Sequence, residues 1–310
     1  MKSNKHKKTE KKLVFIISSS HSGSTLLDMI LGAHSEIFSL GEIINFPRAA
    51  KSTTIPCVCG VSVSKCKFWA PIIEDLSYDM ININDRIEIK LSKQEKLKLL
   101  IPFYHFTITK NIDIDRNFEI LRDLYNLVYA KSKCNILVDS SKYWGRPIYL
   151  KKMLKSYSIY VLHIVRDGRG VLNSGIKRKN KVKQYTENSY TSELEYENNI
   201  INNWMKTNLF SSIMLKNIFK RKYMLVKYEN ICNNPYRVLK NISNLLNIEF
   251  ENKMVNFGDQ IHHNIGGNHM RLDKNLFIKK VDDEWKIKLV KNQLKLFNRK
   301  AKWLNKFYGY

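Results

Sequence analysis

The sequence predicts an α/β fold: a parallel sheet flanked by helices, with helical insertions. Three observations carry this. Short apolar runs rich in β-branched residues recur along the 310 residues, namely LVFII (Leu13–Ile17), NILV (Asn135–Val138), IYVLHIV (Ile159–Val165) and YMLV (Tyr223–Val226). Runs this short suit strands buried on both faces rather than core helices. Stretches of helical periodicity follow three of them, the order of βα units. Each run ends in polar, chemistry-bearing residues, and parallel sheets gather ligand groups at the carboxyl ends of their strands.

The first run feeds Ser18, Ser19, Ser20, His21, Ser22, Gly23, Ser24 and Thr25. Leu26, Leu27, Ile30 and Leu31 then recur at helical spacing. Strand, polar glycine-containing turn and helix together aim free backbone N–H groups and the positive end of a helix dipole at one point, which suits phosphate or sulfate. Compared with the ATP-binding P-loop, Ser18 stands at the first glycine and Ser24 at the lysine. The lysine that reaches the β- and γ-phosphates is missing, so the loop is P-loop-like without being that of a hydrolytic NTPase.

His21-Ser22-Gly23-Ser24-Thr25-Leu26-Leu27 after a strand resembles the 5′-phosphosulfate loop of sulfotransferases, whose donor is 3′-phosphoadenosine 5′-phosphosulfate (PAPS). That loop usually carries Lys or Arg where this chain has His21. The longer resemblance is to the tyrosylprotein sulfotransferases and their bacterial relatives, which follow the loop helix with a His and then a Gly-Glu pair, here His34 and Gly41-Glu42. The resemblance implies donor contacts from Ser22, Gly23, Ser24 and Thr25, and a general-base role for Glu42. The plain alternative for Glu42 is a pair with a nearby lysine.

The second run leads into Asp139-Ser140-Ser141-Lys142, at a strand end facing the same pocket. This segment resembles the equivalent one in the bacterial family, which implies that Lys142 and His21 stabilise the leaving 5′-phosphate. The third run ends in Arg166-Asp167-Gly168-Arg169-Gly170, and an amphipathic helix continues through Ile176. Arg166 and Ser174 resemble the sulfotransferase 3′-phosphate site, with Arg178 one turn further on. Arginine offers phosphate a planar fork and serine a neutral donor. Asp167 reads as the N-cap of that helix, and His163 as a core histidine. The fourth run closes with Lys227-Tyr228-Glu229; the family's equivalent Tyr contacts the nucleotide, which points to Tyr228. Pro235 then opens a helix with Val238, Leu239, Ile242, Leu245 and Leu246 on one face. The late stretch His262 to Arg271 resembles a bacterial Gly-Gly-Asn-x-Met-Arg loop that closes over the donor, implying roles for Asn268 and Arg271. Its three histidines have no carboxylate or cysteine near in sequence to complete a metal site.

The five cysteines include a local cluster, Cys57-Val58-Cys59-Gly60 with Cys66-Lys67-Phe68-Trp69. Zinc sites space cysteines by two to four residues and use four ligands; here the spacing is one and no fourth ligand is evident. A structural loop is the favoured reading, with metal or a disulfide as alternatives, and no metal is expected at the site.

Two bland sources account for part of the net charge of +25, and the remaining excess is spread along the chain. The first twelve residues carry six Lys against one Glu, and Leu272 to Tyr310 carries eleven Lys and Arg against four acids. Residues 1–12 read as a flexible basic tail and residues 13–310 as a single domain, with inserts at about 50–130 and 180–220 shaping an acceptor pocket. Lys-rich faces around Leu91 to Leu100 carry no readable chemistry. The positive field suits a polyanionic donor. The apolar run after the basic start is too short for a signal peptide, and no window is long enough to span a membrane, so a cytoplasmic location is expected. The resemblance implies sulfuryl transfer from PAPS to an acceptor hydroxyl, on a protein tyrosine, carbohydrate, lipid or small molecule, releasing 3′-phosphoadenosine 5′-phosphate. A nucleotide kinase of related fold, marked by a magnesium requirement, and a non-catalytic polyanion binder, marked by salt-sensitive RNA binding, are the rival readings. No nucleic-acid partner is expected, because the interleaved aromatics of such a surface are missing.

Overall fold

The computed structural model describes residues 10–76, 116–182, 192–273 and 275–310. Five strands, β1 (Lys11–Ser18), β2 (Ile37–Ser39), β3 (Ile136–Lys142), β4 (Tyr157–Val165) and β5 (Tyr223–Lys227), form one sheet in the order β2-β3-β1-β4-β5. Every pairing is parallel. β1 is thus central, which explains its unbroken apolar run. Side chains alternate across a strand, and β1 divides accordingly. Leu13, Phe15 and Ile17 enter one core with Trp69, Leu124 and Tyr149, while Val14 and Ile16 enter the opposite core with Leu27, Ile30 and Leu246. All five are fully buried. Each such side chain contributes about 1.5–3 kcal/mol of apolar burial, an upper figure because the unfolded chain is already partly collapsed.

Helices cover both faces. Those that matter here are α1 (Ser24–Gly32), α2 (Arg116–Ser132), α3 (Arg146–Met153), α4 (Gly168–Val182), α5 (Glu193–Phe210), α6 (Pro235–Leu246) and α7 (Lys291–Phe307). A third cluster, including Trp204, Phe297, Leu304 and Tyr308, packs α5 and α7 beside α4. Pro235 opens α6 as expected, and left-handed Asn247 closes it.

Three expectations need correction. β1 begins at Lys11, so Lys11 and Lys12 are strand residues rather than tail: both pair with β4, and Lys12 Nζ donates to Leu246 O at 2.6 Å. Residues 1–9 lie outside the described residues. Asp139 to Lys142 belong to β3 and do not follow it. The edge strand β2 is absent from the sequence reading; three residues are too short to show a period, and β3 supplies their pairing. The Lys-rich stretch at 91–100 and parts of both inserts also lie outside the described residues. Among the described residues, no helix is long and apolar enough to cross a membrane.

Candidate active site

The turn after β1 is held in a demanding conformation. His21 and Gly23 both adopt left-handed backbone, at φ 64° and 90°. Histidine is among the few non-glycine residues that tolerate this. Gly23 is needed twice over: for its φ, and because a Cβ there would run into the Tyr228 ring. The first hydrogen bond of α1 runs from Leu27 N to Gly23 O, 3.1 Å, so the preceding amides have no partner within the helix. Ser22, Ser24 and Thr25 are buried, and the Ser19 and Ser22 hydroxyls meet at 2.7 Å.

Arg166, at the end of β4, ties this loop to α4. Its Nη1 donates to His21 O at 2.9 Å and to Ser174 Oγ at 3.2 Å. Its Nη2 donates to the carbonyl and carboxylate of Asp282, at 3.0 and 3.2 Å. The guanidinium lies over the Tyr228 ring, 4.7 Å from its centre. So Arg166 and Ser174, neighbours on one strand–helix unit, and Tyr228 from a distant part of the chain converge beside the loop. A carboxylate from Asp282 already occupies the fork, a partner with no sequence signal. Arg178 is exposed one helical turn beyond Ser174 and acts on His21 through its charge. Asp167 caps α4 as expected, its Oδ1 accepting from Arg169 N at 2.9 Å. His163 is a core histidine, fully buried between Tyr223 Oη at 2.8 Å and Asn208 Oδ1 at 2.9 Å.

On the other side of β1, the β1–β3 register slips by one residue between Phe15 and Ile17. This bulge aims the left-handed Lys142 at Glu42, and Lys142 Nζ forms a short ion pair with Glu42 Oε1. The pairing alternative for Glu42 is therefore realised. Asn45 Nδ2 donates to the other carboxylate oxygen at 3.3 Å. His34 is not in the site: its ring bonds Glu249 O at 2.7 Å, away from the loop.

Burial, helped by the positive charges of Arg178, Lys142 and Arg166, pushes the pKa of His21 down to about 4. A neutral ring at pH 7 sets His21 apart from the Lys or Arg usual at this place in the loop. The late loop folds over the same place. Ile265 pairs with Gly41, and Asn268 N donates to Thr25 Oγ1 at 3.1 Å. Arg271 is buried and points inward: its guanidinium donates to the carbonyls of Gly267 (3.3 Å), Asn268 (3.4 Å) and Pro56 (3.4 Å). It shapes the loop rather than reaching out of it. Two groups in the site escaped the sequence reading. Asp28 on α1 accepts from Ser39 Oγ at 2.6 Å and from Asn264 Nδ2, and burial pushes its carboxyl up to about 7. His263 joins Cys57, Cys59 and Cys66, which overturns the expectation that the cysteine cluster has no fourth ligand. An aspartate inside an apolar helix and a partner some two hundred residues away leave no local signal.

No family model matches the sequence, and no curated protein matches it. Solved structures do. The chain is similar to the sulfotransferase domain from the curacin biosynthetic pathway, at 18% identity and a TM-score of 0.54, over 93% of this chain and 96% of that one. It is similar also to the sulfotransferase domain from the Synechococcus PCC 7002 olefin synthase, at 17% identity and a TM-score of 0.55, over 100% of this chain and 99% of that one. With a parallel five-stranded sheet, a P-loop-like turn at the end of its central strand and this overall likeness, the chain has the sulfotransferase fold.

Proposed function

We propose that the protein is a PAPS-dependent sulfotransferase acting on an acceptor hydroxyl. One observation carries the reading most: Arg166 joins the carbonyl of His21 in the loop to Ser174 on α4. Two motifs 145 residues apart in chain are thereby joined in the arrangement that a nucleotide with a 5′- and a 3′-anion needs. The likeness to sulfotransferase domains supports the same reading.

In this reading the amides preceding Leu27, with Ser22, Gly23, Ser24 and Thr25, hold the 5′-phosphosulfate, and Arg166, Ser174 and Arg178 hold the 3′-phosphate. The 3′-phosphate takes the place of the Asp282 carboxylate on the Arg166 fork. Tyr228 and the Gly267–Asn268 turn flank the donor, with Arg271 keeping that turn in shape. The acceptor oxygen forms a bond to sulfur as the bond from sulfur to the 5′-phosphate oxygen breaks. The acceptor proton passes to Glu42, and the leaving phosphate takes the electron pair, stabilised by Lys142 and the loop amides. Lys142 pairs with Glu42 before transfer and turns its charge to the phosphate during it. His21 is neutral in the free protein, and a bound phosphosulfate favours its charged form. The cations of the chain supply the charge stabilisation, so the chemistry calls for no metal. A cytoplasmic setting suits the free thiols.

The test is incubation with sulfur-labelled PAPS and cell extract, with and without magnesium. Magnesium-independent label on an acceptor is the expected result. Transfer from ATP instead, or dependence on magnesium, would move the assignment to the kinases.

A further inference from the structure

We propose that Cys57, Cys59, Cys66 and His263 form a structural zinc site that clamps the late loop onto the candidate active site. The four ligand atoms all lie within 4.8 Å of one another. Three of the six separations are close to the edges of a tetrahedron. Cys59 Sγ and Cys66 Sγ are 3.6 Å apart, Cys66 Sγ and His263 Nδ1 are 3.3 Å apart, and Cys57 Sγ and His263 Nδ1 are 3.7 Å apart. Zinc bonded to sulfur and imidazole nitrogen at its usual lengths gives edges of about 3.8 Å between sulfurs and about 3.6 Å between sulfur and nitrogen.

The backbone explains how an unusual Cys-x-Cys spacing can work. Residues 56–62 form a tight hairpin: Cys57 N donates to Val61 O at 2.8 Å, Gly60 N donates to Cys57 O at 3.1 Å, and Gly60 is left-handed at φ 96°. This turn brings both sulfurs to one point, where a run with regular pleat would send residues of one-residue spacing along the same face at a distance. Cys66 arrives from the next turn of chain. His263 comes from across the molecule and is held in orientation. Trp69 Nε1 donates to its carbonyl at 2.6 Å, and Phe68 stacks on its ring at 5.4 Å with planes 19° apart. Fixing a ligating ring by its surroundings is how metal sites set imidazole direction. Three thiols and an imidazole suit zinc, and with four protein ligands no position is left for water or substrate, so the site is structural. A disulfide accounts for two of the sulfurs and leaves the third and the ring converging on nothing.

The consequence lies two residues on. Ile265 N donates to Leu40 O at 3.0 Å, and Glu42 N donates to Ile265 O at 2.6 Å. Zinc at His263 therefore anchors the segment that positions the backbone of Glu42 and carries Gly267 and Asn268 onto Thr25. Metal binding does not rest on the proposed activity; only its effect on turnover does.

The full-length chain, purified in reductant without chelator, is expected to carry about one zinc, measured by elemental analysis and by release to a chromogenic chelator. Replacing zinc by cobalt is expected to give the intense visible bands of a tetrahedral thiolate site. Cys59→Ser and His263→Ala are expected to lose most of the metal, His263→Cys to keep it, and Cys232→Ser, outside the cluster, to change nothing. Chelation of the wild type is expected to expose the segment around 263–271 to protease, a readout that does not need activity. The proposal is overturned if wild-type protein, folded and reduced, takes up no zinc when supplied with it. It is overturned equally by iron in place of zinc, by zinc retained undiminished in Cys59→Ser, or by a Cys59–Cys66 disulfide in peptides mapped without reduction. The cobalt spectrum of the wild type decides the matter even if every variant fails to fold.

Discussion

The site has two walls, and they are built in different ways. The β1–β4 wall is made of residues that directly follow strands: the loop Ser18–Thr25, Arg166 and Tyr228. Their positions are fixed by the parallel sheet, whose register leaves little choice once the apolar runs are paired. The opposite wall is made of the bulged end of β3 and two loops, Gly41–Glu42 and the segment from His263 to Arg271. For the loops, no sheet dictates placement. A bridge between Gly41 and Ile265, the inward-pointing Arg271 and the Cys57–Cys66 hairpin do so instead. A wall set by the sheet suits the non-reacting parts of a ligand. A wall set by loops can carry the group that must move a proton.

The sharpest way to test that division is Glu42→Gln. The amide keeps the size and can still bond Lys142 or Asn45, but it cannot take a proton at neutral pH. Turnover is expected to fall about 10²- to 10⁴-fold, with nucleotide affinity little changed, as steady-state rates and calorimetry with 3′-phosphoadenosine 5′-phosphate would show. Full turnover in this variant would remove Glu42 from proton transfer and leave its bond to Lys142 as its whole role.

Arg166→Ala probes the other wall. A charge-assisted bond contributes about 1.5–3 kcal/mol, so donor affinity is expected to weaken by about one to two powers of ten. The 3′-phosphate keeps its charge throughout transfer, so the loss falls on binding more than on the chemical step. Preference for the nucleotide with a 3′-phosphate over the one without is expected to vanish. Calorimetry showing that preference intact would reassign Arg166 to the Asp282 and His21 contacts alone.

Legibility in the sequence follows the same division. Leu13–Ile17 and Ile159–Val165 announce themselves because both faces are buried; Tyr223–Val226, an edge strand with Leu225 exposed, is legible only as a short apolar run. The residues that follow all three are on the β1–β4 wall by topology alone. Arg166 and Ser174 lie on one strand–helix unit, so their approach to 3.2 Å is a local consequence. The other wall was less readable. β2 is only three residues long, and the bulge in β3 depends on how its neighbour is paired. His263 and Cys66 are 197 residues apart, and neither carries its partner's address. His21 is the instructive intermediate. Its place in the loop was legible, but its charge was not, because that depends on Arg178, Lys142 and Arg166 arriving from three other elements.

A smaller effect should appear in stability. His163 belongs to the sheet-built part, and burial pushes its pKa down to about 4. The unfolded chain takes up the proton near pH 6.5, so stability is full above that pH and declines as pH falls toward 4. The loss is on the order of 3 kcal/mol once both states are protonated. His163→Gln is expected to be less stable at neutral pH, having lost a bonded ring. It should also show a shallower decline of unfolding free energy between pH 6.5 and 4. An identical slope in urea titrations of the two proteins would mean that the ring is already charged in the fold.

The smallest expected effect concerns the residue where the two walls meet. His21 has left-handed backbone and three cations around it. A lysine or arginine there would add a fourth permanent charge, so the neutral imidazole relieves repulsion in the empty site. His21→Arg is therefore expected to lower the melting temperature without nucleotide, through both like-charge repulsion and backbone strain. With nucleotide present the added cation has phosphates to face, so the stabilisation gained on binding is expected to exceed that of the wild type. The pH profiles sharpen this. In the wild type, kcat/KM reports the free protein, where His21 is neutral above about pH 5, and no alkaline limb from it is expected. The profile of kcat reports the complex, where phosphate favours the imidazolium, and an alkaline limb is expected there. In His21→Arg that limb should disappear. If an active His21→Arg enzyme keeps the alkaline limb, another group sets it. If its melting temperature without nucleotide is unchanged, the crowding of cations around His21 is not what this histidine relieves.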